Sequence, residues 1–118
     1  MREACRDAFC YLTTIGRKSG KPHEIEIWFA CGEGNRIFML SGGGDRSDWV
    51  RNLQANRSVR VRFRDRTYDG TARVLSLPEE GDASARKLLF EKYSPSESGL
   101  EEWAASSLAI EITLELFT

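Results

Sequence analysis

From Ser58 to Arg64 apolar and basic residues alternate without a break: Val59, Val61 and Phe63 fall on one side and Arg60, Arg62 and Arg64 on the other. This is the two-residue period of a strand with one buried and one wet face. The C-terminal stretch has the same period, with Leu108, Ile110, Ile112, Leu114 and Leu116 opposing Ala109, Glu111, Thr113 and Glu115. Residues 24–31 repeat it, with Ile25, Ile27, Phe29 and Cys31 opposite Glu24, Glu26 and Trp28. Three further segments read as strands. Residues 8–14 are apolar and β-branched and stop at Gly16, Arg36–Ser41 is apolar on both faces, and residues 67–75 follow a turn at Asp65 and Arg66. In that last segment Gly70 is placed for a bulge and Pro78 for a stop.

Gly32, Glu33, Gly34 and Asn35 form a hairpin connection tolerant of positive φ, so the strands on either side of it are expected to pair. Gly42, Gly43 and Gly44 end the next strand with bare backbone that a ligand or another chain could approach. Ser47 is placed to cap a helix over Asp48–Ala55, with Asp48 in its first turn and Trp49, Val50 and Leu53 along one side. Residues 79–93 start acidic and carry Ala85, Leu88, Leu89 and Tyr93 at helical spacing, and a short helix is expected around Leu100 and Trp103. Six or so strands with two or three short helices predict a mainly β fold, an antiparallel barrel that closes or nearly closes, because closure removes exposed strand edges.

Composition adds bounds. A chain of 118 residues fits one domain, 1–118, and 41% hydrophobic with 30% charged residues is ordinary globular usage. No stretch reaches the ~20 apolar residues of a membrane span and the first residues lack a signal-peptide core, so a cytoplasmic protein without stable membrane insertion is expected. The three cysteines, Cys5, Cys10 and Cys31, have no C-x-x-C spacing; reduced thiols are expected, with a Cys5–Cys10 pair conceivable on export and Cys31 a buried thiol. The net charge of −1 conceals nine Arg against four Asp in residues 36–73 and three basic against nine acidic residues in 74–118. A solvated salt-bridge surface or an anion site under the arginines would each account for this.

The densest chemistry is Gly16, Arg17, Lys18, Ser19, Gly20 and Lys21: three cations and a hydroxyl between glycines that can turn backbone N–H groups toward one point. Fork, point charge and amide nest all favour a phosphate, although a solvated basic hairpin has the same composition. The motif is no P-loop, since Pro22 follows Lys21, and Gly32, Glu33 and Gly34 lack the rest of a dinucleotide fingerprint. His23 is the only histidine, which excludes a catalytic triad, leaves no metal site in view and makes His23 a surface residue at a strand entry. The arginine stripe lacks interleaved aromatics and the pI is near 5.9, so no nucleic acid partner is expected and the stripe reads as a subunit contact or salt-bridge face.

Four blocks in order, residues 12–22 around the basic turn, residues 25–30, residues 40–43 and residues 49–53, resemble the deazaflavin-dependent nitroreductase family, from about Tyr11 to Val74 and more loosely to the end. The resemblance implies a split β-barrel, usually a homodimer, that holds coenzyme F420 with its phosphate and oligoglutamate tail in a basic groove. It implies hydride transfer from the reduced deazaflavin to a hydrophobic acceptor such as a quinone, an enone or a nitroaromatic. By position, Arg17, Lys18, Ser19 and Gly20 would hold the phosphate, the backbone of Leu40, Ser41, Gly42 and Gly43 would face the ring, and Trp49 and Asn52 would brace the wall. Ser41 would donate a hydrogen bond to the ring or acceptor, as the catalytic residue. Gly42 and Asp48 stand where the best-known branch often has Lys and Pro. The same barrel could instead bind FMN, or carry a lipid or haem without turnover.

Overall fold

The computed structural model describes residues 3–64, 66–75 and 80–115. Seven strands form one antiparallel sheet: β1 (Cys10–Ile15), β2 (Pro22–Ile27), β3 (Ala30–Cys31), β4 (Arg36–Ser41), β5 (Ser58–Phe63), β6 (Arg66–Leu75) and β7 (Leu108–Leu114). Three helices accompany them: α1 (Asp48–Ala55), α2 (Glu80–Tyr93) and α3 (Glu101–Ser106). The order across the sheet is β2-β1-β5-β6-β7-β4-β3. Its two edge strands are therefore consecutive in the chain, joined only by Trp28 and Phe29, and the sheet curls until its edges meet at that dipeptide. This is the split barrel expected from the sequence, with seven strands rather than six. Asp65, Pro78, residue 79 and Leu116 lie outside the described residues.

The extra strand arises because the segment expected to run unbroken over residues 24–31 changes partners. Ile27 ends the ladder with β1 opposite Cys10, and Ala30 begins a new one opposite Phe38. Between them the backbone of Phe29 leaves the ladders and bonds to the end of α2. Its N–H donates to the Tyr93 hydroxyl at 3.0 Å, and its carbonyl accepts from Lys92 Nζ at 2.8 Å. Phe29 turns inward against Phe63, while Trp28 turns outward and stacks on Tyr93 with ring centroids 4.2 Å apart. Pairing across the Gly32 to Asn35 hairpin is thus confined to β3 and β4, with Gly34 at φ 65°.

Two apolar layers follow from the alternation. Leu12, Ile37, Met39, Val61, Phe63, Ile110, Ile112 and Leu114 fill the barrel, and α1 adds Val50 and Leu53. Phe38, Leu40, Leu75 and Ala109 point outward beneath Ala85, Leu89 and Tyr93 of α2. This second layer explains why β4 is buried on both faces, and it corrects the two-sided reading of β7, whose Ala109 and Glu111 are buried too. Gly70 makes no bulge: it pairs in regular register with Val59 and Leu114. A side chain there would come within 3.0 Å of Ile112 and of the Thr113 carbonyl, so the glycine permits close packing.

The cysteines also depart from expectation. Cys5 and Cys31 form a disulfide with Cα atoms 5.7 Å apart, tying a 3-10 turn at Ala4–Arg6 to β3. Chain spacing hid this pair because the N-terminal segment crosses the split in the barrel to reach it. Cys10 is the free thiol; it lies inside the barrel, where burial pushes its pKa up to about 12. The arginines of the stripe are salt-bridge residues: Arg60 and Arg62 of β5 pair with Asp69 and Glu24, both at 3.1 Å, and Arg64, just past the strand, lies 2.7 Å from Asp7. No helix among the described residues is long and apolar enough to cross a membrane.

Candidate functional site

The basic turn joins β1 to β2. Gly20 adopts φ 71°, where glycine alone is unstrained, and its N–H donates to Gly16 O at 2.8 Å while Gly16 N–H donates to Lys21 O at 2.8 Å. A side chain at Gly16 would come within 2.7 Å of Ser19 Oγ and His23 Nε2, so both side chains pack against the bare Cα of the glycine. Ser19 Oγ accepts from Lys21 N–H at 3.2 Å and lies 3.4 Å from His23 Nε2. His23 is exposed at the start of β2, as expected, and it also borders the site.

Arg17 does not point freely to solvent. Its backbone N–H and its Nη1 donate to Asn52 Oδ1 at 3.2 and 2.8 Å, and its Nη2 pairs with Asp48 Oδ1 at 3.1 Å. Asn52, 5% exposed, passes the connection on by donating from Nδ2 to Thr14 Oγ1 at 3.2 Å. The turn is therefore clamped to the first two turns of α1. Lys18 is exposed, and among the described residues its ammonium has no partner, nor do the N–H groups of Lys18 and Ser19 donate to anything. An ammonium and two adjacent free amides suit an anion such as a phosphate. Beside them is a cleft of about 560 Å³ lined by Thr14, Arg17, Lys18, Ile25, Trp49 and Asn52, among others.

The glycine turn leads into the N-terminus of the same helix. Leu40 and Ser41 are buried, whereas Gly42 and Gly43 are exposed. Ser41 Oγ donates to Gly44 O at 2.9 Å and lies 3.0 Å from Ser47 Oγ. Ser47 holds the predicted N-cap position of α1, yet its hydroxyl makes no cap bond and faces Ser41 instead. Of the residues singled out from sequence, Arg17, Lys18, Ser19, Trp49 and Asn52 thus share one cleft. Leu40, Ser41, Gly42 and Gly43 do not line it and reach it through Ser47 and Asp48. Sequence reasoning missed Thr14, Ile25 and Asp48. The alternation of β1 and β2, and an acidic residue in the first turn of α1, were the available signals.

A model of the F420H(2)-dependent quinone reductase family matches residues 5–110. A solved F420-H2 dependent reductase is similar at 30% identity over 92% of this chain and 94% of its own, with a TM-score of 0.69. A solved protein described as a domain-swapped dimer matches at 28% identity over 92% of this chain and 80% of its own, TM-score 0.70. HutZ, a haem storage protein from Vibrio cholerae, shares the fold at 15% identity over 98% of this chain and 88% of its own, TM-score 0.77. The match over nearly the whole barrel, including the clamped basic turn and the glycine turn, places the chain in the F420H(2)-dependent quinone reductase family, as an F420-dependent reductase with coenzyme F420 as its cofactor.

Proposed function

We propose that the chain passes a hydride from reduced F420 to a hydrophobic acceptor, a quinone ahead of an enone or a nitroaromatic, and that it works as a homodimer in the cytoplasm. The observation that carries the reading is the 16–21 turn, where Lys18 Nζ and the amides of Lys18 and Ser19 stand without partners among the described residues, beside an open cleft. When bound, F420 supplies the hydride, and the protein supplies placement and shielding. Lys18 and the two amides would hold the phosphate, Ser19 and Gly20 shape the turn, and Arg17 fixes it to α1 through Asn52. Trp49 gives the cleft an aromatic side.

Leu40, Ser41, Gly42 and Gly43 would border the ring, with Ser41 setting the shape of the turn through Gly44 O. A quinone comes first because the family description names one. The homodimer is supported by the similar protein described as a domain-swapped dimer. Fluorescence titration with F420, beside FMN as control, tests the cofactor, and consumption of reduced F420 with menadione tests the acceptor. Saturable F420 binding and protein-dependent oxidation by menadione are expected. No acceleration over the protein-free rate would sink the reading.

A further inference from the structure

Ser107 connects α3 to β7 and is 2% exposed, and its hydroxyl has no hydrogen-bond partner among the described residues. Asp7 Oδ1 is the other such atom among the described residues, and it has the Arg64 charge beside it. Ser107 Oγ has neither. Its neighbour Ser106 shows the ordinary solution, donating to the carbonyl four residues back at 2.7 Å. Ser107 leaves the equivalent Trp103 carbonyl to its backbone N–H, at 3.1 Å. A buried hydroxyl without a partner costs free energy, and such an atom in a folded protein calls for an explanation.

Its position supplies one. The ladder pairs Ser41 with Leu108, which sets Ser107 across from Gly42. A side chain built on Gly42 would meet only Trp103 Cδ1 at 3.8 Å and Ser107 Oγ at 4.0 Å. Gly42 is exposed, so its bare Cα opens to solvent directly beside an aromatic edge and an unused donor. Trp103 is in turn held edge-on by Trp28, with ring centroids 5.6 Å apart. An open backbone patch, an aromatic edge and one unpaired O–H are what a flat conjugated ligand bearing a carbonyl would require.

We propose that Ser107 Oγ donates a hydrogen bond to a carbonyl oxygen of the conjugated ligand that lies on Gly42, against Trp103. The assignment rests on the reading of the glycine turn as the ring end of the site. Ser41 cannot serve as this donor while its hydroxyl is engaged by Gly44 O, which leaves Ser107 as the available hydroxyl at the turn. The carbonyl belongs either to the F420 ring or to a quinone acceptor, two ligands with the same hydrogen-bonding chemistry.

Ser107→Ala, Ser107→Thr and Gly42→Ala, each made in the full chain, test this by three measurements: F420 affinity by fluorescence, KM for menadione and thermal midpoint. Removing an unpaired donor should leave the midpoint of Ser107→Ala unchanged or raised, whereas ligand binding should weaken about three- to tenfold. A loss in F420 affinity assigns the carbonyl to the cofactor, and a rise in menadione KM at unchanged F420 affinity assigns it to the acceptor. Ser107→Thr should restore the affected value. If Ser107→Ala keeps both constants within twofold of wild type, the inference is overturned while the proposed function stands. Should Ser107→Ala fail to fold, Gly42→Ala decides, since its methyl has room in the protein alone and would collide only with a ligand. Unchanged constants there overturn the inference as well. Wild type that neither binds F420 nor reduces menadione overturns both readings.

Discussion

Arg17 meets Asn52 twice at one atom: its backbone N–H and its Nη1 both donate to Asn52 Oδ1, at 3.2 and 2.8 Å. A single buried amide thus fixes the backbone and the side chain of a turn residue, and from its other end it grips Thr14 on β1. The basic turn is held in shape before any anion arrives, which reduces the ordering that binding must impose.

Asn52→Ala should therefore act at two levels. It leaves the Arg17 amide and the Thr14 hydroxyl short of a partner, and a stability loss of about 2–3 kcal/mol is expected in urea unfolding. F420 affinity should fall as well, because the turn loses its register on α1. A variant that is destabilised yet binds F420 as wild type does would separate the clamp from the site.

Lys18→Ala and Arg17→Ala should behave differently. The ammonium of Lys18 has no hydrogen-bond or ion-pair partner among the described residues, so its removal should leave the thermal midpoint alone and weaken F420 binding about tenfold or more, the loss of one charge-assisted contact. Arg17→Ala should lower the midpoint and the affinity together. Calorimetry alongside fluorescence titration distinguishes the two patterns. Equal affinity in Lys18→Ala and wild type would rule out the turn as the phosphate end.

Opening the Cys5–Cys31 bond removes a cross-link across 26 residues, for which loop entropy gives about 3–4 kcal/mol. Cys5→Ser, or dithiothreitol added to wild type, should lower the unfolding midpoint accordingly. Identical midpoints with and without reductant would show that the strap is held by its other contacts, among them the bond from Tyr93 Oη to Ala8 O at 2.8 Å.

The pH dependence of stability should carry the mark of Lys92. Burial lowers its pKa from 10.5 to about 8, so above pH 8 the unfolded chain keeps a proton that the folded chain has released. The contribution of this position is flat below pH 8 and rises with pH toward 10.5. Cys10 and Tyr93 act in the opposite sense: burial raises both to about 12, and stability falls above pH 9 and pH 10 as the unfolded thiol and phenol ionise. Between pH 8 and 9, urea unfolding of wild type and Lys92→Met should diverge in favour of wild type. Parallel curves across that interval would contradict the assignment.

What the sequence disclosed depended on which interactions are periodic. The alternation at Ser58–Phe63 has one wet face and reads directly as a strand, and Asp48–Ala55 was legible from Ser47 and the apolar side of α1. The break at Trp28 and Phe29 was not, since the apolar period continues across it. The break is made by Tyr93, 64 residues away. Nor could the pattern show that α2 covers the outer face of β7, which buries Ala109 and Glu111 on the side expected to face water and leaves Thr113 exposed. The four blocks of the resemblance located the residues of the site, but not the bond that commits Arg17 to Asn52, 35 residues on. Ser107 carried no signal at all, because its importance lies in a missing partner.

The order of strands has a consequence for how the barrel is made. β7 stands between β6 and β4, and without it the sheet falls into a four-stranded piece, β2-β1-β5-β6, and the pair β4-β3. No ladder joins these two pieces; they are linked by the chain through Trp28 and Phe29 and through α1, and by the shared core. On the ribosome the chain must therefore hold two unfinished sheets, each with an open edge, until Leu108–Leu114 emerges and fills the gap between them. β7 is the strand that makes the molecule a single barrel.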